Sequence, residues 1–258
     1  MYSDKVLQDI AAIATDYRLK VASTVGKILA LAEAYRSLGK QFTFEADADL
    51  DAEANRILMA LSDEILADAE VRMRRAIEEA NDEEDADEIV AFVLFDITAQ
   101  NTLDKYASHL KFILEGWATI GFANGLSKGS IATNLLVFLA NPYISPLWKK
   151  AFEDGRSYAS KIIREGGYYW DKGTPISPLR GFVLTSSDMV NRAYNRGVVY
   201  GYRRAGAIGY RVLRGSDYDC PSCDDVVAGS PYPIDDVVLP VHPNCVCYTV
   251  PVFEKDIT

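Results

Sequence analysis

The stretch DCPSCDDVVAGSPYPIDDVVLPVHPNCVC, Asp219 to Cys247, holds all four cysteines of this 258-residue chain and one of its two histidines. One short pattern occurs in it twice, as Cys220-Pro221-Ser222-Cys223 and as His242-Pro243-Asn244-Cys245. Four-coordinate zinc takes thiolate and imidazole ligands, usually as two close pairs from two turns. Two residues between the members of a pair let one tight turn present both ligands, and a proline after the first pre-sets φ for such a turn. The 18 residues between the pairs, Asp224 to Val241, leave room for a hairpin. The spacing therefore selects Cys220, Cys223, His242 and Cys245 as zinc ligands. Cys247, two residues on, is able to replace His242 or Cys245 if the second turn runs into a short strand.

Size supplies a reason for the metal. The segment 207–258 is rich in Pro, Gly and Asp. A tail this small rarely buries enough apolar surface to fold without a staple. A structural zinc contributes roughly 10–16 kcal/mol of apparent folding free energy. Two disulfides are the plain alternative, but the histidine and the lack of a secretory leader weigh against them. A redox Cys-x-x-Cys is a third reading, one that normally sits at a helix start with no second pair downstream. Asp219, Asp224 and Asp225 flank the site. A catalytic zinc needs an open position and a placed acid/base group, and the deaminase pattern needs Glu where Asn244 stands. A structural zinc is expected.

Outward from this cluster the chain reads as helices. Val6, Ile10, Ile13, Tyr17, Val21, Val25, Ile28 and Leu31 recur at spacings of three and four behind Ser3, in a segment expected to run to about Leu38 and stop at Gly39. A second segment begins near Asp47–Asp51 and a third is expected as one helix from about Asp87 to Phe122, making a bundle or extended hairpin. Ser127 caps a short helix that Asn141-Pro142 ends. A further helix is expected over 146–165, then a long loop at 166–181, then a last helix starting at Ser186 or Ser187 and stopped by Gly206. Ile208, Tyr210 and Val212 alternate as a strand leading into the cysteines. The expected organisation is a mainly α chain: a long-helix region 1–124, a helical basic Tyr-rich region 125–206, and a small zinc-stapled, β-containing module 207–258.

The net charge of −10 is unevenly spread. Glu45–Glu88 holds 17 acidic and 4 basic residues, whereas Leu147–Arg214 holds 13 basic and 5 acidic. The overall acidity argues against general nucleic-acid affinity. Arg192, Arg196, Arg203 and Arg204, interleaved with tyrosines, are still a candidate nucleic-acid or partner contact; a solvated helix face is the plainer account. The opening MYSDKVLQDIAAIATDYRLK lacks a signal-peptide pattern, and no apolar run reaches the ~18–20 residues that span a bilayer. A soluble protein made in a cytoplasm is expected. His109 reads as an ordinary helix residue. Asp47–Leu58 fails as a calcium loop because Ala52 and Leu58 stand where Gly and Glu belong. No phosphate-loop or nucleophile-elbow motif is present, so no catalytic residue is expected.

The order of these parts carries a resemblance. NRAYNRGVVYGYRRAG (191–206), GYRVLRGSDYD (209–219), CPSC and HPNCVC, with GFANGLSKGSIATNLL (121–136) upstream, resemble the phage Mu F-like minor head proteins, also called phage head morphogenesis proteins. The likeness covers about residues 115–250. Val246 stands where that family's closing motif commonly carries arginine, and Ser186-Ser187-Asp188 where its helix often opens with Arg-Thr-Glu. The resemblance implies a minor capsid protein of the virion, oligomeric in the assembly and associated with portal and with capsid or scaffold components. It would act in head assembly, genome packaging or ejection. The other readings are a zinc-dependent hydrolase or nucleic-acid-modifying enzyme using Asp219 or Asp225, and a DNA-contacting adaptor using the arginine row.

Overall fold

The computed structural model describes residues 3–34, 42–80, 85–141, 169–171 and 174–256. The chain is mainly helical, with a small antiparallel sheet near its C-terminus. Among the described residues the helices are α1 (Asp4–Ala34), α2 (Ala48–Glu79), α3 (Ala86–Asp96), α4 (Ala99–Ala123), α5 (Lys128–Ala140), α6 (Pro178–Arg204) and α7 (Pro221–Ala228). The strands are β1 (Tyr169–Asp171), β2 (Thr174–Ile176), β3 (Gly209–Leu213), β4 (Tyr232–Pro233) and β5 (Tyr248–Val252). No described helix is long and apolar enough to cross a membrane.

Two expected boundaries move. The third segment is two helices, because Thr98 adopts φ +46° and turns the chain between α3 and α4. The last helix begins at Pro178, inside the expected loop 166–181. Ser177 caps it by accepting the Arg180 N–H at 3.2 Å, and Pro178 takes the first helical position, where its missing N–H costs nothing. The rest of that expected loop contains the antiparallel β1–β2 pair. Gly206 ends α6 as expected. At φ +82° it lets its own N–H reach Arg203 O and the Ala207 N–H reach Tyr202 O, so two orphan carbonyls of the last turn are satisfied. The expected stop at Gly39 and the expected helix 146–165 lie outside the described residues.

The chain forms two compact units, and they are not the three consecutive blocks expected from the sequence. One comprises 1–13, 66–99 and 184–258, the other 14–65 and 100–183. Long helices cause this interleaving, since α1, α2 and α6 each contribute residues to both. Within the second unit, Val21, Val25 and Ile28 of α1, Leu58, Leu61 and Ile65 of α2 and Leu103, Leu110 and Leu114 of α4 are buried at the spacing of one helical face. The Tyr17 hydroxyl donates to Ile65 O at 3.2 Å, so this ring is buried with its polar end satisfied. Gly121 meets Ile131 of α5 so closely that a Cβ there would stand 2.4 Å from its side chain.

The first unit holds the C-terminal module. Its sheet has the order β4-β3-β5, with Tyr210 opposite Tyr232 on one side and Pro251 on the other. Tyr210 and Val212 point inward and Arg211 outward, as the alternation predicts, but Ile208, expected on the same face, lies before the strand and is exposed. The buried core of the module consists of Val199 from α6, Tyr210, Val212 and Leu239, together with Cys223, Cys245 and Cys247. Three of the four cysteines are thus part of the only small core this segment builds among the described residues.

Candidate metal centre

The first pair is the opening turn of α7, not an isolated tight turn. Cys220 occupies the N-cap position, Pro221 the first helical position, and Asp224 N–H bonds Cys220 O at 3.0 Å. Proline's fixed φ suits the first turn of a helix as well as it suits a β-turn, which is why the spacing alone does not separate them. The segment between the pairs is not a hairpin either. It holds the rest of α7, then β4 on the edge of β3, then an extended run to Val241.

The second pair is a true turn. The Cys245 N–H closes it on His242 O at 3.0 Å, with Pro243 second and Asn244 third at φ +65°. Proline followed by a residue that tolerates positive φ suits this geometry, and asparagine is the usual non-glycine choice. Beyond the turn the chain extends into β5. Cys245 and Cys247 therefore face the same side with Val246 between them, as successive side chains alternate along extended backbone.

These turns bring all five candidate donors together. His242 Nε2 lies 3.3 Å from Cys220 Sγ and 3.2 Å from Cys223 Sγ. Cys223 Sγ lies 3.9 Å from Cys245 Sγ. Cys220, Cys223 and His242 form one group with donor atoms within 4.8 Å of one another, and Cys223, Cys245 and Cys247 form a second. Cys223 belongs to both. All four thiols are free.

The donor set fits a tetrahedral thiophilic ion. With metal–sulfur bonds of about 2.3 Å, two sulfurs on one zinc stand roughly 3.8 Å apart. The 3.9 Å between Cys223 and Cys245 matches that and is far too long for a disulfide. Without a cation the electrostatics keep the buried thiols protonated. Burial, then the adjacent sulfurs of Cys220, Cys247 and Cys245, push the Cys223 thiol far above its ordinary range. Burial and Cys245 push Cys247 up as well. Cys220 moves the other way, chiefly because the Cys223 backbone N–H and side chain stabilise its thiolate. A divalent cation at the centre of the cluster reverses the penalty on the buried thiolates.

Neighbouring groups orient the donors. His242 Nδ1 lies 2.8 Å from Pro243 O, a contact in which Nδ1–H donates and leaves the Nε2 lone pair facing the sulfurs. The Gly215 backbone partly offsets the upward shift that burial imposes on the Cys247 thiol. Gly215 has to be glycine, because a Cβ there would stand 1.7 Å from Val246 O. Arg214 bonds both Asp224 and the backbone O of Cys220, tying the loop after β3 to the start of α7. Asn191, a residue not singled out in the sequence, reaches the cluster from α6. It is 2% exposed and its Nδ2 donates to Cys245 O at 2.8 Å. Two asparagines four apart on the buried face of a helix, Asn191 and Asn195, are the signal that marks it.

The arginine row is engaged within its own unit. Arg192 bonds Asp188 at 2.7 Å and Asp96 at 3.1 Å. Arg196 stacks on Phe92, 3.4 Å from the ring centroid. Arg203 lies over Tyr200 and 3.9 Å from Asp235. Arg204 pairs with Asp85 at 2.7 Å. The acidic 85–96 segment and the basic α6 thus neutralise each other. Asp219 and Asp225 are exposed. His109 is half-buried on α4, and burial and Lys105 hold its pKa below the ordinary value. Comparisons with protein-family models, curated proteins and solved structures give no match to this chain.

Proposed function

We propose that this chain is a minor head protein of a tailed phage or prophage, a non-enzymatic component that associates with the portal and acts in head assembly, genome packaging or ejection. The observation that carries the reading is the convergence of the motif residues. Of the stretches that carry the resemblance, the helix 191–206, the strand 209–213, the CPSC helix start and the HPNCVC turn belong to one compact unit, where their five donors form two groups sharing Cys223, while 121–136 belongs to the other unit. In this reading the metal is a structural zinc that staples the C-terminal module, and the long helices dock on portal, capsid or scaffold surfaces.

Two features favour this over the other readings. Asp224, the acidic residue in the first turn of α7, is paired with Arg214, and Asp219 and Asp225 are exposed solvated acids outside the buried donor cluster. For a DNA-contacting adaptor, the arginines would have to leave Asp85, Asp96 and Asp188 before meeting phosphate. The protein would occupy the virion head, and the host cytoplasm during assembly.

Mass spectrometry of density-banded, nuclease-treated particles tests the proposal, by counting this chain's peptides against portal and major capsid protein. A few to tens of copies per particle is the expected result. Absence from particles at every stage, including immature heads, while the chain is abundant in the cell, would overturn it.

A further inference from the structure

The cluster offers five donors where a tetrahedral ion takes four. Two of the five, His242 and Cys247, stand five residues apart around one turn. His242 is aimed by its Nδ1 contact with Pro243 O, across from Cys220 and Cys223. Cys247 is buried one residue before β5, within the group that includes Cys223 and Cys245. Each lies with Cys223 inside a three-donor group, so each stands where a ligand to the shared ion would stand. Cys223 is the one donor common to both groups.

We infer that the centre holds a single ion for which Cys223 is the obligatory ligand, while His242 and Cys247 are alternative ligands. The ion passes between a set bearing one imidazole and a set of four thiolates. As His242 Nε2 leaves the ion, Cys247 Sγ binds as thiolate and its proton goes to solvent. The consequence is mechanical. The ion keeps a fourth ligand if the His242 ring swings away, through Cys247, and equally if the Cys247 side chain is withdrawn, through His242. Such a staple tolerates movement of either side chain. The inference rests on the metal reading above and fails separately from it.

Cobalt(II) titration of the full-length protein tests it, reading stoichiometry, affinity and the thiolate-to-cobalt absorption band in wild type, His242→Ala, Cys247→Ser and Cys223→Ser. Wild type, H242A and C247S are expected to bind one ion each, with affinities within about tenfold of one another, whereas C223S loses at least about 100-fold. The charge-transfer band of H242A is expected to be roughly a third stronger than that of C247S, reflecting four thiolates against three. More than tenfold loss in either H242A or C247S, two ions in wild type, or equal bands in the two variants would overturn the exchange. The wild-type stoichiometry and the C247S spectrum stand even if H242A fails to fold. No cobalt binding by wild type would instead defeat the metal reading itself.

Discussion

Replacing Asn191 by alanine probes how α6 supports the metal centre. The side chain is 2% exposed, donates to Cys245 O at 2.8 Å and accepts from Asn195 Nδ2 at 2.8 Å. Alanine leaves the buried Cys245 carbonyl without this donor, at a cost of about 1–3 kcal/mol. Asn195 loses one acceptor but keeps its bond to Asn191 O at 2.8 Å, so its contribution is smaller. The space left by the amide adds a cavity term, and the total comes to about 2–4 kcal/mol. Because Cys245 is a donor, the same change should lower metal affinity by about 10–100-fold, the usual effect of removing a group that orients a ligand. Urea unfolding and a competitive zinc-chelator titration read the two effects. Asn134→Ala, exposed on α5 with an analogous bond to Ser130 O, is the control and should cost less than about 0.5 kcal/mol. Wild-type stability together with wild-type metal affinity in Asn191→Ala would refute the reasoning.

Other substitutions separate packing from charge. Gly215→Ala places a Cβ on Val246 O, and should cost about 1–3 kcal/mol and weaken metal binding, as measured by urea unfolding and chelator competition. Burial holds the Glu115 carboxyl above its ordinary range, opposed first by its bond from the Phe44 N–H. A folded pKa above the unfolded value means the ionised form costs stability. That cost is absent below the unfolded value of about 4.3 and complete above the folded one. Glu115→Gln keeps an acceptor for Phe44, so it should be more stable than wild type at pH 7, with the gain vanishing as pH falls to about 4. Urea midpoints across that range check the sign. Arg204→Ala should cost about 0.2–1 kcal/mol, because Asp85 is only partly shielded from solvent, whereas Arg192→Ala also strips the buried Asp188 of its partner and should cost about 1–3 kcal/mol. Neither should change DNA affinity in a filter-binding assay at physiological salt, whereas a salt-dependent affinity that falls in both variants would restore the DNA-contacting reading.

The helical architecture was legible because its signal is local. The apolar spacing in α1 and α2, the Ser127 cap and the Gly206 stop each depend on a few neighbouring residues, and all appear where expected. The break at Thr98 was not legible. A β-branched residue at φ +46° is held there by its surroundings, with neither Gly nor Pro to announce it. Ser177 escaped notice as a cap because the Gly- and Pro-rich stretch before it reads as continuous loop. The interleaved units depend on which parts of long helices meet, a nonlocal property that periodicity does not encode.

The site divides in the same way. The candidate donors follow from spacing, and the sequence already allowed Cys247 to join them. Whether the first pair opens a helix or a turn depends on the residues after Cys223, since Pro221 satisfies both. The contributions of Asn191 and Gly215 come from across the fold, at separations of 54 residues from Cys245 and of a full loop from Val246. The arginines of α6 show the opposite failure. Their composition suggested an exposed cationic face, and the acidic residues they meet lie about a hundred positions earlier in the chain.

The most direct test of the account is the metal content of the wild-type protein, purified without a tag under reducing conditions and measured by native mass spectrometry with elemental analysis. One zinc per chain, released by a chelator with loss of the C-terminal module's structure, is the predicted result. A metal-free chain whose module stays folded, with four titratable thiols or two disulfides, would contradict it.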